Sequence, residues 1–267
     1  MEKIGLIAGN RRFPILFSEA AKKKNYYIVA VAIRTETSYK LRKYADKIYW
    51  INLNEFSRLF EIFKDEGITN VVMAGQISPR HLFSKEIYKS EEIKGLLAGI
   101  KDKRADTIFG AIAEKLKISG FELLDSTTFI EGLLPGKGTL TKREPSSEEW
   151  EDIYFGLDLA KAVASLDIGQ TVAVKHKAIV AVEALEGTDN LIRRAGNITG
   201  GGITVVKVSK PKQDKRFDIP VVGLNTIKNL IKANVACLAI EAVKTIFIDK
   251  EPSIKLADKK GIAIVAV

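Results

Sequence analysis

One cysteine, two histidines, two tryptophans and two methionines are all that 267 residues hold of those types. Cys237 has no partner for an intramolecular disulfide. Its place in the apolar run ANVACLAIEA suits a small buried hydrophobe in a reducing, cytoplasmic setting. His81 and His176 stand far apart with no cysteine pair beside them, so no zinc pattern exists. No apolar stretch approaches the ~18 to 20 residues of a membrane span. The opening MEKIGLIAGNRRF lacks the apolar core and small-residue cleavage site of a signal peptide, so no leader is expected. G-x-S-x-G and the P-loop are absent. After the first apolar run the chain reads GLIAGNRR where a dinucleotide fingerprint needs G-x-G-x-x-G, which disfavours a nucleotide-sugar oxidoreductase. Internal repeats and low-complexity tracts are also missing.

Positive charge is in surplus. Lys and Arg number 42 against 33 Asp and Glu, a net charge of +9. Such a balance suits an anionic partner, a nucleotide or a phospholipid head group, and a Lys-rich proteome gives the same count. The cations are scattered rather than blocked, so no nucleic-acid partner is expected.

The first half alternates apolar strands with amphipathic helices. Strands are expected at 4–9, 26–33, around ADKIYWINL, at 68–77 and at 121–127. Helices are expected from Pro14, from Asn54 to a stop at Gly67, over EEIKGLLAGI and over ADTIFGAIAEKLKISG. That alternation implies a parallel sheet covered on both faces. Residues 1–132 are read as an N-terminal domain, the Gly/Pro/Lys/Ser-rich 133–146 as a linker and 147–267 as a C-terminal domain. Ser147 is expected to cap a helix that runs to about Ser165. A hairpin over 170–187 turns near His176-Lys177, a short helix after Thr188-Asp189 closes at Gly196, and strands and helices then mix as an α+β domain.

Gly9-Asn10 and Gly75-Gln76 each follow an apolar strand, as "AGN" and "AGQ". Each pair offers a close-approach glycine and an amide that reads a uracil or a diphosphate without adding charge. Plain turn chemistry accounts for the same residues. Further on, LDIGQTVAVK carries Asp167 and Gln170, and VEALEGTDNLIRR carries Glu183, Glu186, Thr188 and Asp189 at a helix start, where Asp and Thr are also ordinary caps. The loop KPKQDKRFDIP, with Lys210, Gln213 and Asp214, interleaves cations with carboxylates before Gly223 and Asn225 open a helix. Set against carboxylates from 186–189, that loop would form a site for a metal-bound diphosphate; a solvated loop is the alternative. With carboxylates and amides as donors, Mg2+ or Mn2+ fits better than zinc.

Taken together, GLIAGNRRFP, VVMAGQIS, LDSTTFI, LDIGQTVAVK, AVEALEGTDNLIRRAG, VKVSKPKQDKRFDIPVVGLNTI and LAIEAVKTIFIDKE, in that order and spacing, resemble the UDP-2,3-diacylglucosamine pyrophosphatases of the I type from bacterial lipid A synthesis. The resemblance runs nearly end to end. It implies a Rossmann-like N-terminal domain beside a distinct C-terminal domain. It also implies hydrolysis of the substrate diphosphate to UMP and 2,3-diacylglucosamine 1-phosphate, a divalent cation (usually Mg2+), and transient contact with the inner membrane surface. A second copy of the chain is a further candidate partner. On this reading Asp189, Asp214 and the residue at Asn225 carry the chemistry and the metal. Gln170, Thr188, Lys210 and Gln213 orient the diphosphate, and Gly9, Asn10, Gly75 and Gln76 face the nucleotide.

Two positions depart from the family pattern. Asn225 stands where Asp is expected in G-x-D-T-I, and Val243 where Gly is expected in E-A-G-K-T. Asparagine caps a helix as well as aspartate, but it takes no proton at neutral pH and is a poorer ligand for a hard cation. A slow or inactive enzyme that still binds substrate is expected, and its limiting case is a non-catalytic binder or sensor of a nucleotide-linked lipid.

Overall fold

The computed structural model describes residues 1–78, 81, 94–95, 99, 102 and 104–267. They form two compact units, Met1–Glu131 with Lys215–Asp218, and Gly132–Asp214 with Ile219–Val267.

Unit 1 is built on five parallel strands, β1 (Lys3–Ala8), β2 (Tyr27–Ile33), β3 (Lys47–Ile51), β4 (Asn70–Ala74) and β5 (Glu122–Leu123). Their order is β3-β2-β1-β4-β5, so the direction of strand addition reverses between β1 and β4. The crevice outside such a reversal is where open α/β sheets hold ligands. Helices α1 (Phe13–Lys23) and α3 (Ala105–Ile118) follow the expected segments, with Pro14 in the first turn of α1; α2 (Arg58–Asp65) starts later than the expected Asn54, after a 3-10 turn Leu53–Glu55 whose cap is Asn52, boxed with Glu55. The helix expected over EEIKGLLAGI lies largely outside the described residues.

Strand β5 is far shorter than the 121–127 expected. After Leu124 donates to Val71 O, Asp125 Oδ1 accepts from the Thr127 N–H and hydroxyl and turns the chain away from the ladder. Ser126 donates its hydroxyl to Met73 O and Arg216 O, and its N–H to Lys215 O, which pins the returning segment 215–218 to this unit.

Unit 2 carries a mixed six-stranded sheet, β6 (Gly138–Thr139), β7 (Thr171–Lys175), β8 (Ala178–Val182), β9 (Thr204–Lys207), β11 (Cys237–Ile240) and β13 (Ala263–Ala266), in the order β6-β13-β11-β9-β7-β8. Strands β9, β11 and β13 are parallel; β6, β7 and β8 pair antiparallel with their neighbours. Two-residue strands β10 (Val221–Val222) and β12 (Ile246–Phe247) pair separately. Residues 133–146, which composition marks as a connector, carry β6, and Leu140 and Thr141 bond the backbone of Ile264.

The helices of this unit are α4 (Ser147–Ser165), α5 (Thr188–Thr199), α6 (Leu224–Lys232) and α7 (Lys250–Lys259). Ser146, not Ser147, caps α4: its hydroxyl accepts from Glu149 N while the Glu149 carboxylate accepts from Ser146 N, a reciprocal box. His176 and Lys177 both hold positive φ (51° and 57°), the paired conformation of a tight hairpin turn. Asp152 on α4 accepts from both their N–H groups. Helix α5 does not stop at Gly196. It runs on to Thr199 and ends at left-handed Gly200. Gly196 is a packing glycine: a Cβ there would sit 2.6 Å from the Ala233 Cβ at the end of α6.

Strand alternation sorts the core. Val206 and Val208 join Ile153 and Ala160 of α4 on one face of the sheet, and Val205 joins Leu191, Ile192, Ile227 and Leu230 of α5 and α6 on the other. Cys237 is fully buried, and burial pushes its thiol well above the usual range, the state of an inert hydrophobe. Among the described residues no helix is long and apolar enough to cross a membrane.

Candidate active site

In unit 1 the AGN and AGQ turns lock together at the ends of β1 and β4. Gly9 donates its N–H to Ala74 O and Asn10 to Gln76 O, each at 2.8 Å. A Cβ on Gly9 would lie 2.7 Å from Gln76 O, and one on Gly75 (φ 88°) 2.6 Å from Asn10 O. Backbone meets backbone here, so both positions require glycine. Asn10 Nδ2 donates to Glu36 Oε2 at 2.6 Å, and His81 Nε2 lies 2.6 Å from Glu36 Oε1. The Glu36 side chain is nearly sealed, while Asn10 Oδ1 is buried without a hydrogen-bond donor. Sequence reading missed Glu36 and His81. They lie 45 residues apart, and no local spacing joins them.

In unit 2 the starts of α5 and α6 meet. Gly187 and Gly223 are their N-caps, so neither helix start receives a side-chain cap. Asn225, in the first turn of α6, donates from Nδ2 to Asp189 Oδ2 in the first turn of α5 at 2.7 Å. This contact brings together two of the three residues expected to carry the chemistry. The third, Asp214, is the half-buried last residue of unit 2 before the chain crosses at Lys215.

The other expected residues divide by role. The Thr188 hydroxyl is turned inward, donating to Glu183 Oε1 (2.9 Å) and accepting from Lys207 Nζ (2.8 Å). Gln170 fixes the end of β9 through its carbonyl, which accepts from Val208 N at 2.9 Å. Lys210 pairs with Asp167 at 2.5 Å, both side chains largely buried, and its N–H donates to Gln213 Oε1. Gly169 lies so close to Glu183 that a Cβ would stand 2.1 Å from its carbonyl oxygen.

Two groups that sequence reading left without a role border this region. Lys207 is a buried cation at the end of β9. Glu241, at the end of β11, accepts from Lys161 (2.5 Å), Lys244 (2.6 Å), and the hydroxyl and N–H of Ser209 (2.7 and 2.9 Å). Burial alone would push the Glu241 carboxyl up; the hydrogen bonds from Lys161, Lys244 and Ser209 outweigh it and hold the group at about 2. Glu186 follows the same logic: burial is outweighed by Arg194 at 2.7 Å, and its carboxyl is held below the usual range. Glu183 and Glu186 point apart, Glu183 buried within the unit and Glu186 at its surface.

Two α/β units, the second of which brings a carboxylate, an amide and two helix starts without side-chain caps to one place, define an α/β protein with a polar candidate site. Comparison with known proteins gives its family. The model of the LpxI N-terminal domain matches residues 3–133 and that of the LpxI C-terminal domain residues 136–265, so the chain belongs to the LpxI family. The UDP-2,3-diacylglucosamine pyrophosphatase LpxI of Caulobacter vibrioides is 29% identical over 280 residues, covering 100% of this chain and 98% of that one. Among solved structures, the ADP-bound biotin carboxylase domain of a thermophilic 2-oxoglutarate carboxylase matches at 15% identity and TM-score 0.25, over 65% of this chain and 35% of that one. N5-carboxyaminoimidazole ribonucleotide synthetase from Thermotoga maritima matches at 15% identity and TM-score 0.25, over 70% of this chain and 43% of that one. Likenesses at that score carry no argument.

Proposed function

We propose that the protein hydrolyses the diphosphate of UDP-2,3-diacylglucosamine to UMP and 2,3-diacylglucosamine 1-phosphate, a step of lipid A synthesis, and that Asn225 slows it. Family membership and the full-length relative support the substrate. The observation that carries the chemistry is the Asp189–Asn225 contact between two helix starts without side-chain caps.

In this reading backbone N–H groups of the two first turns donate to phosphate oxygens, and the helix dipoles favour the negative charge. Lys210 and Gln213 hold the loop that follows β9 against the site. Water attacks the phosphorus on the sugar side. The bond from that phosphorus to the bridging oxygen breaks, and the oxygen leaves with UMP. For the nucleotide-facing role of Gly9, Asn10, Gly75 and Gln76, the support within unit 1 is the buried Oδ1 of Asn10, an acceptor suited to a base N–H.

Among the described residues no three His, Cys, Asp or Glu side chains come together as a metal site. Mg2+ is commonly held by one or two carboxylates with substrate phosphates and water completing its shell. Asp189 fits that part, with Asp214 as the second carboxylate. When bound, the cation neutralises the diphosphate and polarises the phosphoryl oxygens. An Asp at 225 would add a charged ligand or a base; Asn225 instead donates a neutral hydrogen bond to Asp189 and accepts no proton.

The protein is taken to work in the cytoplasm at the inner membrane surface, where its lipid substrate lies. Asn225 also favours a second reading, a binder that holds the nucleotide-linked lipid without cleaving it. Incubation of the protein with substrate and Mg2+, and of Asn225→Asp alongside it, separates the two. UMP released slowly by the parent and faster by the variant supports the disabled enzyme. Tight binding with no UMP from either protein supports the binder.

A further inference from the structure

Lys207 is the anomaly of unit 2. Its side chain is 8% exposed, on the central strand β9, and it faces α5 and α6 beside Val205. Burying an ammonium costs several kcal/mol unless its donors are met. Here one bond is short, to Thr188 Oγ1 at 2.8 Å; the bond to Thr171 Oγ1 is long at 3.4 Å, and the Glu183 carboxylate stays 3.9 Å away. A pair selected for stability alone would close that gap. Instead the Thr188 hydroxyl stands between cation and carboxylate, accepting from one and donating to the other at 2.9 Å, with Thr171 Oγ1 3.3 Å off. Every hydrogen-bonding direction of that hydroxyl is therefore fixed. Because Thr188 is the first residue of α5 and Gly187 before it supplies no cap, this brace rather than a cap sets where the first turn, with Asp189, points.

We infer that Glu183, Thr188 and Lys207 form a positioning brace that aims the first turn of α5 at the substrate diphosphate. Lys207 acts through Thr188 and does not itself touch the substrate. The inference rests on the reading of this site as a diphosphate site.

The test is titration of the folded protein with UDP and with uridine, in Mg2+, by calorimetry, with melting curves recorded alongside. Thr188→Val keeps the shape and removes the hydroxyl; Thr188→Ser keeps the hydroxyl. The brace predicts that Thr188→Val and Lys207→Met each weaken UDP binding about tenfold or more and leave uridine unchanged. Combined, they weaken it no further than the worse single change, because the members act as a unit. Thr188→Ser binds UDP like the parent. A purely structural lysine would shift the melting point alone, so undiminished UDP affinity in Thr188→Val overturns the inference even where Lys207→Met fails to fold. A parent that binds uridine but not UDP, or neither, overturns the diphosphate reading itself and the brace falls with it.

Discussion

At residue 243 the chain runs against its own stereochemistry. Val243 sits at φ 52°, in the left-handed region that a β-branched side chain tolerates poorly, and it is 60% exposed, so no packing compensates. The family pattern's glycine has its reason here. Val243→Gly is expected to stabilise the protein by about 0.5–1 kcal/mol, the strain relieved less the extra freedom of the unfolded chain, read as a higher denaturant midpoint. Asn225 poses the opposite case. It stabilises the fold through its bond to Asp189. Asn225→Asp sets two carboxylates together, so without divalent cation the variant should lose about 1 kcal/mol, the worth of a one-unit pKa shift, and recover it when Mg2+ is added. A melting point that ignores Mg2+ in the variant would argue against a cation at this place. Glu241 gives a pH dependence. Its folded carboxyl, near 2, lies below the unfolded value of ~4.3. Its contribution is present above about pH 4.3 and fades as the pH falls toward 2. Glu241→Gln should therefore be less stable than the parent at neutral pH, with the gap closing across that acid window.

At the scale of elements, the close approach of α5 and α6 depends on Gly196 against Ala233. Gly196→Ala, a gain in helix propensity at an ordinary site, should here cost about 1–3 kcal/mol by overpacking and weaken UDP binding, since both helix starts move with it. Unchanged stability would mean that the two helices can part without loss. This glycine also shows what the sequence conceals. The period of TDNLIRRAG announces a helix, but a glycine that ends a helix and one that lets a second helix close in look alike until the partner is known. Parallel β1 to β4 and the 176–177 turn were legible because each is written in local pattern: apolar runs, helix starts and turn residues. Lys207 was not legible. A single lysine in TVVKV reads as the exposed beat of a strand, and only the sheet order shows that it faces helices. Glu36 and His81 meet only because β1, β2 and β4 end on one edge.

The whole molecule consists of two α/β units that together match one family along the chain, and the proposed diphosphate chemistry belongs to the second. The expected residues Asp189 and Asn225 were visible as helix openings in sequence, and their contact needed the fold. The most direct measurement is UMP release from UDP-2,3-diacylglucosamine in Mg2+ by the parent, by Asn225→Asp, and by Asn225→Asp carrying Asp189→Asn. The account predicts slow release by the parent and faster release by Asn225→Asp. Adding Asp189→Asn should then cut the rate about a hundredfold or more. Release that is equal in all three proteins, or absent from all three, contradicts it.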